Sequence, residues 1–108
     1  MKGSNLGELE ELILLSVAAL YDDAYGISIQ NFVHERCDRS ISISSVHTVL
    51  QRLLAKGYLN SRYGGATDSR GGRRKHLFTV TIAGRKALTA VRDQRNQLWN
   101  SISKLAFK

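Results

Sequence analysis

The residues with the most evident chemistry are the cations and glycines between Tyr63 and Val80. This stretch, YGGATDSRGGRRKHLFTV, contains four glycines, three arginines and one lysine. Guanidinium and ammonium groups bind phosphate oxygens, and glycines let a backbone lie close to a phosphate ridge. Because a strand-like alternation follows in KHLFTV, the stretch predicts a flexible cationic hairpin tip on a polyanion. The predicted phosphate-binding residues are Arg70, Arg73, Arg74 and Lys75.

Charge is divided unevenly along the 108-residue chain, whose formal net charge is +7. Residues 1–40 carry a net charge of −4, whereas residues 41–108 carry +11. Such an asymmetry favours a polyanion-binding surface in the second part. The alternative interpretation is a solvated basic face that improves solubility.

Catalytic and metal chemistry have little support in the sequence. His34 and Cys37 could present two metal ligands on one helix face, but a structural zinc site needs four and no second cysteine exists. No serine, histidine and carboxylate set has suggestive spacing, and the glycines lack the strand-to-helix context of a P-loop. We expect no enzyme activity, no metal and no cofactor, and we predict Cys37 to be a partly buried thiol.

The compartment follows from similar arguments. One cysteine excludes an internal disulfide, and no apolar run approaches the roughly 18 residues that span a membrane. The beginning of the chain lacks the apolar core of a signal peptide. The sequence therefore predicts a single cytoplasmic domain without a membrane partner.

Hydrophobic periodicity places two helices in the first part of the chain. Helix 1 is predicted over about 6–21, with Asn5 and Glu8 as a capping-box-like start. Helix 2 is predicted over about 26–37, and the ISI segment at 41–43 as one short strand.

The third predicted helix runs from a Ser44 cap to Lys56, with Gly57 as a left-handed stop. Its buried stripe is Val46, Val49, Leu50 and Leu53. The opposite face contains no acid and is rich in hydrogen-bond donors, which suits the reading of DNA bases. The candidate DNA-binding residues on this face are Ser45, His47, Thr48, Gln51 and Arg52.

The order of the elements predicts a winged helix-turn-helix, mainly α with a small β-hairpin. Strands at 58–63 and 75–81 flank the basic tip, and Thr81 caps a last helix that reaches about residue 107. In this fold helix 3 enters the major groove and the hairpin is the wing. Residues 1–81 would form the DNA-binding part, with helix 3 at about 44–56 and the wing at about 58–81. Residues 82–108 would form a long C-terminal dimerisation helix of the same domain.

Four segments resemble the PadR-like transcriptional regulators over about residues 5–90. They are LGELEELILLSVAAL, AYGISI, SSVHTVLQRLLAKGYLNS and RRKHLFTVTIAGRKAL. The chain departs from the family's usual pattern at His47 and Thr48, where a Tyr-Pro pair is usual, and at Ile82, where proline is usual. The resemblance implies a bacterial, DNA-binding, dimeric repressor whose C-terminal helix makes the dimer.

The spacing of apolar residues in the last helix gives separate support for a dimer. A heptad-like seam interrupted by Arg95 needs a partner, because a 26-residue helix spans about 39 Å and the other helices are shorter. Trp99 is predicted to pack in this interface. By position it also resembles the tryptophan with which multidrug-responsive members stack planar drugs, so a small hydrophobic effector near Trp99 is the alternative. The predicted dimerisation residues are Leu88, Val91, Leu98, Trp99, Ile102 and Leu105.

The sequence thus predicts a homodimeric repressor that binds an inverted-repeat operator on double-stranded DNA. Two alternatives remain: a winged-helix protein–protein interaction module, and an RNA-binding adaptor without operator function. Salt-dependent binding to generic duplex DNA would separate the first alternative from the prediction. Competition between single-stranded RNA and duplex DNA would separate the second.

Overall fold

The computed structural model describes residues 6–66 and 74–107. In this part of the chain, three helices, an antiparallel hairpin and a last helix follow one another. They are α1 (Glu8–Leu20), α2 (Gly26–Cys37), α3 (Ile43–Ala55), β1 (Leu59–Ala66), β2 (Arg74–Val80) and α4 (Ile82–Asn100). Single 3₁₀ turns lie at Tyr21–Asp23 and Lys104–Phe107. The predicted mainly α fold with a small β-hairpin is confirmed.

The start of α1 differs from the prediction. The helix begins after Gly7, whose N–H donates to the Glu10 carboxylate at 2.8 Å. Asn5 lies outside the described residues, and Glu8 forms an ion pair with Arg39 at 2.7 Å. The carboxylate that caps the first turn therefore belongs to Glu10, two residues after Glu8, which the sequence pattern indicated.

The segment between α2 and α3 contains no strand, so the prediction for 41–43 is wrong. The Ile41 carbonyl accepts a hydrogen bond from the Gln30 side chain at 2.8 Å, which satisfies this backbone without a ladder. Ser42, rather than Ser44, caps α3, because its hydroxyl accepts the Ser45 N–H at 3.0 Å. Ile43 is consequently the first residue of the helix.

The core lies where the first three helices meet the hairpin. The predicted stripe of α3 is confirmed, since its four residues are at most 3% exposed. Phe78 of β2 lies among them, and its N–H donates to the carbonyl of Ala24 at 2.9 Å. That bond ties β2 to the connection between α1 and α2. The core residues contributed by the other elements include Ile13, Leu14, Val17, Ala24, Ile29, Leu59 and Phe78.

The hairpin pairs Leu59 with Val80 and Tyr63 with His76, and its register is irregular between Tyr63 and Ala66. Gly57, with φ +79°, provides the left-handed residue between α3 and β1 that the sequence indicated.

The first turn of α4 is anchored by Thr81 and Gly84. The Thr81 hydroxyl accepts the Gly84 N–H at 3.0 Å and donates to the Gly57 carbonyl at 2.7 Å. Gly84 lies so close to β1 that a Cβ there would stand 2.4 Å from the Tyr58 carbonyl oxygen. A residue without a side chain is required for this approach.

The end of α4 was predicted wrongly. The helix stops at Asn100, and not near Phe107, so it has 19 residues. The Ser101 hydroxyl donates to the Leu98 carbonyl at 2.7 Å, and the Ser103 hydroxyl accepts the Leu105 N–H at 3.1 Å. Serine side chains that bond nearby backbone groups compete with helical hydrogen bonds, and two of them follow Asn100.

Candidate nucleic-acid interface

The outer face of α3 is defined by the residues that its buried stripe leaves on the surface. His47, Thr48, Gln51 and Arg52 are exposed, and Ser45 is half-buried. Helical periodicity places Gln51 and Thr48 nearly opposite the core, with His47 on one flank and Arg52 on the other.

Hydrogen bonds separate these predicted contact residues into two groups. The Thr48 hydroxyl donates to the Ser44 carbonyl at 3.0 Å, and the Ser45 hydroxyl accepts from Ser42 at 2.9 Å. Across residues 6–66 and 74–107, in contrast, the side chains of His47, Gln51 and Arg52 form no hydrogen bond. These three are the residues of the outer face whose donors are available to a ligand.

Ser44 is a residue that sequence reasoning placed in the wrong role. Because Ser42 is the cap, Ser44 lies in the first turn of α3 and is exposed. It shares the outer face with Thr48 and Gln51. Its position four residues before Thr48, on a face without acids, was the signal that could have placed Ser44 on the outer face of the helix.

The N-terminal end of α1 supports the C-terminal end of α3. Glu10 is 7% exposed and accepts a hydrogen bond from the Lys56 ammonium at 2.8 Å. Burial alone raises the pKa of the Glu10 carboxyl, but its hydrogen bonds from Lys56 and the Gly7 N–H and the charge of Lys56 outweigh that effect. The pKa of Glu10 therefore lies below its ordinary value, with a further contribution from the charge of Arg52.

The basic start of β2 lies beside the start of α2. Arg74 is exposed, and the Lys75 ammonium lies 3.8 Å from the Asp23 carboxylate and 4.5 Å from the centre of the Tyr25 ring. The other two predicted wing cations, Arg70 and Arg73, lie outside the described residues.

An aromatic row runs along one face of the hairpin. The rings of Tyr63 and His76 stack at 4.6 Å, and His76 lies 4.6 Å from Phe78. Phe78 belongs to the core, so the row connects the core to the base of the wing and orients His76.

A concavity of about 330 Å³ separates α3 from the start of β2. Gly26, in the first turn of α2, contacts the His47 imidazole so closely that a Cβ there would stand 3.0 Å from Cε1. Gly26 thus allows α2 and α3 to pack closely, and its neighbour is a predicted DNA-contact residue. The lining residues are Tyr25, Gly26, Ile27, His47, Arg74, Lys75 and His76.

The predicted dimerisation residues fall into two groups. Val91 is 6% exposed and Leu88 is half-buried, so the chain itself covers the first half of the seam. Leu98, Trp99 and Leu105, in contrast, are 65%, 68% and 71% exposed. Ile102 and Leu105 follow the last residue of α4 and do not continue its helical spacing.

Arg95, predicted as a polar residue within the seam, binds inside the same chain. Its guanidinium forms an ion pair with Glu11 of α1 at 2.8 Å. Beyond it, an open concavity of about 690 Å³ borders Leu98, Trp99 and Ile102. The last turn folds back so that the Phe107 ring lies 6.3 Å from that of Trp99.

The remaining sequence expectations concern the Cys37 thiol, metal binding and membrane-spanning helices. Cys37 is exposed, so the prediction of a partly buried thiol is wrong: it ends α2 on the solvent side. Within the described ranges, no group of three or more His, Cys, Asp or Glu residues could hold a metal ion. None of the described helices is both long and apolar enough to cross a membrane.

Solved structures with the same architecture come from several bacteria. A PadR family transcription regulator from Clostridium difficile R20291 is 27% identical with a TM-score of 0.69, over 87% of this chain and 93% of that one. A PadR-like transcriptional regulator from Bacillus cereus is 15% identical with a TM-score of 0.73, over 91% and 90%. Bacillus subtilis PadR in complex with operator DNA is 20% identical with a TM-score of 0.65, over 79% and 46%.

At the level of sequence, no curated protein matches this chain. The model of the transcriptional regulator PadR-like family matches residues 14–90, from within α1 to within α4. This range includes α3, the hairpin and the Thr81–Gly84 anchor. The chain therefore belongs to the PadR-like family of transcriptional regulators.

Proposed function

We propose that this protein is a homodimeric, sequence-specific DNA-binding repressor that acts in the bacterial cytoplasm. Its family consists of transcriptional regulators and not of enzymes. The single observation that supports DNA binding best is the juxtaposition of the exposed face of α3 with the basic start of β2 across one concavity. A recognition helix beside a cationic strand suits a major groove and its adjoining phosphates.

We also propose separate roles for the two parts of the chain. Residues 1–81 bind DNA, with Gln51 and Arg52 directed at base edges and the wing cations at phosphates. Residues 82–108 hold two copies together. A related protein, Bacillus subtilis PadR, has been solved in complex with operator DNA, which supports the assignment.

The dimer is proposed from the exposed apolar residues near the end of α4. Several large apolar side chains on one short segment form the kind of patch that marks a protein interface. A two-fold pair would place two α3 helices about one DNA turn apart, roughly 34 Å, and would select an inverted repeat. Trp99 packs in this interface, and a small hydrophobic effector would be held beside it.

Selection of bound sequences from a random duplex pool tests the proposal. We expect the wild-type protein to enrich an inverted repeat. Gln51→Ala should lower the free-energy preference for one base, at one position in each half-site, by about 1–3 kcal/mol. The reason is that a glutamine amide can form two hydrogen bonds to an adenine edge. Gln94→Ala, the same substitution on an exposed position of α4, is the matched control and should leave the preference unchanged.

Two results would contradict the proposal. Without any enriched sequence, the protein would not be a sequence-specific regulator. An unaltered preference for both Gln51→Ala and Arg52→Ala would show that α3 does not read the bases.

A further inference from the structure

The concavity between the start of α2, α3 and the start of β2 is lined by an unusual set of side chains. Three elements that are distant in sequence each contribute a group able to donate a hydrogen bond: Tyr25, His47 and the Arg74–His76 segment. None of the seven lining residues is an acid. A site rich in donors and cations and free of carboxylates suits an anion.

Among the described residues, the acid that contacts this set, Asp23, does not neutralise it. The Asp23 carboxylate lies 3.8 Å from the Lys75 ammonium, near the upper limit for an ion pair, and it is 64% exposed. The ammonium also lies over the face of the Tyr25 ring. Lys75 is therefore held at the edge of the concavity by two weak contacts that a stronger anion can replace.

The position of His47 depends on the glycine beneath it. Gly26 allows the imidazole to rest against the first turn of α2, with Cε1 and Nε2 at 3.0 and 3.2 Å from the position of a Cβ. The ring consequently leans away from the centre of the outer face, which Gln51 and Thr48 occupy, and borders the concavity. On the opposite wall, stacking on Tyr63 orients His76.

We infer that this concavity binds one phosphate of the DNA backbone, contacted jointly by α2, α3 and β2. The inference rests on the proposed function and revises the role that the sequence indicated for His47. His47 contacts phosphate and does not read a base, while Tyr25 and His76 join Arg74 and Lys75 as backbone contacts. The first helix of a helix-turn-helix crosses the backbone, so the start of α2 lies where a phosphate passes.

A phosphate held from three directions would determine the register of the protein on DNA. Contacts to phosphate position a protein without carrying sequence information. The glycine-rich wing tip would supply positive charge that attracts the DNA backbone. The concavity would supply the geometry that places Gln51 over its base pair.

The test combines variants of the protein with neutral substitutions in the DNA. Duplexes of the selected operator are prepared with one methylphosphonate at each backbone position in turn. Wild-type binding should weaken by about tenfold at the position in each half-site that the concavity contacts, as expected when a hydrogen-bonded charged group is lost. His47→Ala and Lys75→Gln should each weaken binding to the unmodified operator by a similar factor, and should lose nothing further when that same phosphate is neutral.

Two further variants make the assignment specific. Gly26→Ala displaces the imidazole and should reproduce the loss caused by His47→Ala, while its thermal unfolding stays that of the wild type. Arg92→Gln removes an exposed cation of α4 and should remain sensitive to the same neutral phosphate as the wild type.

The outcomes distinguish this inference from the proposed function. Wild-type protein that does not bind duplex DNA would overturn both. Three results, each with normal wild-type binding, would overturn the inference alone. They are a changed base preference in His47→Ala, wild-type affinity in Gly26→Ala, and sensitivity of His47→Ala and Lys75→Gln to different phosphates. Binding of inorganic phosphate in the concavity, together with wild-type DNA binding that is insensitive to a neutral phosphate at every position, would identify a free anion as the occupant and would overturn the assignment to DNA.

Discussion

The two ends of α4 have opposite environments. Near its start, Gly84, Ala87 and Val91 are buried against the rest of the chain, which includes β2 and α1. From Arg92 to Phe107 every residue is exposed, including Trp99. The chain thus completes a core for the winged helix but leaves most of the apolar surface of Leu98, Trp99 and Leu105 exposed at its C-terminal end. Stability of the fold and assembly of the proposed dimer should therefore respond to different substitutions.

The largest expected effect is on the exposed end. Leu98→Asp combined with Ile102→Asp places two carboxylates per chain in the proposed interface, and each buried unpaired charge costs several kcal/mol. Association should weaken by roughly a thousandfold or more, measured by sedimentation, while helical content remains. The winged helix should stay folded because neither side chain belongs to its core.

The matched control for this variant carries the same charges on the other side of the helix. Gln97→Asp with Asn100→Asp should leave the association unchanged, since helical periodicity places both residues away from Leu98. A Leu98→Asp/Ile102→Asp protein that stays dimeric would show that the two copies meet elsewhere.

At the buried end of α4, a smaller effect is expected, and it is on the stability of the fold and not on association. Gly84→Ala would drive a Cβ into the Tyr58 carbonyl and the Val80 side chain, neither of which can move freely. We expect the free energy of unfolding to fall by about 3 kcal/mol, at the upper end of the usual range for overpacking. Urea denaturation measures this change. Gly26→Ala is the control, because the atoms near a Cβ there are the ends of the His47 and Ile43 side chains and not backbone. Equal stability of the two variants would contradict the anchor.

The smallest expected effect is the loss of folding stability at low pH. Because the pKa of Glu10 is lower in the folded chain than its ordinary value of 4.5, the ionised carboxyl stabilises the fold above that pH. This stability is lost as the pH falls through the folded pKa. Glu10→Gln should cost about 1.5 kcal/mol at pH 7, the lower end for a charged hydrogen bond, because Lys56 is 31% exposed.

Denaturation between pH 7 and 3 measures the acid effect, and the Glu10→Gln variant should show a smaller loss over this range. Among the described residues after Val91, the sole acid is Asp93, which pairs with the adjacent Arg92. Dimer dissociation should therefore depend on acid less than unfolding does. A wild-type protein and a variant that lose stability in parallel would show that Glu10 is not the group responsible.

Elements with strong apolar periodicity could be predicted from the sequence. The buried stripe of α3 was identified residue by residue, because its spacing leaves one solution for a helix on a core. The hairpin was identified from two apolar runs around the glycine-rich tip. The Thr81–Gly84 anchor was visible only as a short motif, because its reason is the distance from Gly84 to the Tyr58 carbonyl.

Boundaries could not be predicted, because competing local hydrogen bonds decide them. Ser42 and Ser44 are equally good caps by residue type, and the chain uses the first. At the C-terminal end, the apolar spacing continues through Leu105, although serine side chains end the helix earlier. The concavity beside His47 could not be derived at all, since its walls come from three separate segments that meet only in the folded chain.

The Thr81 hydroxyl has a geometric consequence for the whole assembly. It joins Gly57, which follows α3, to the first turn of α4, so the helix proposed to face DNA and the helix proposed to carry the partner are anchored at one residue. A 19-residue helix extends about 28 Å from that residue, so a tilt of about one degree moves its far end by about 0.5 Å. In the proposed dimer, a small change in the geometry around Thr81 would therefore produce a larger change in the distance between the two recognition helices.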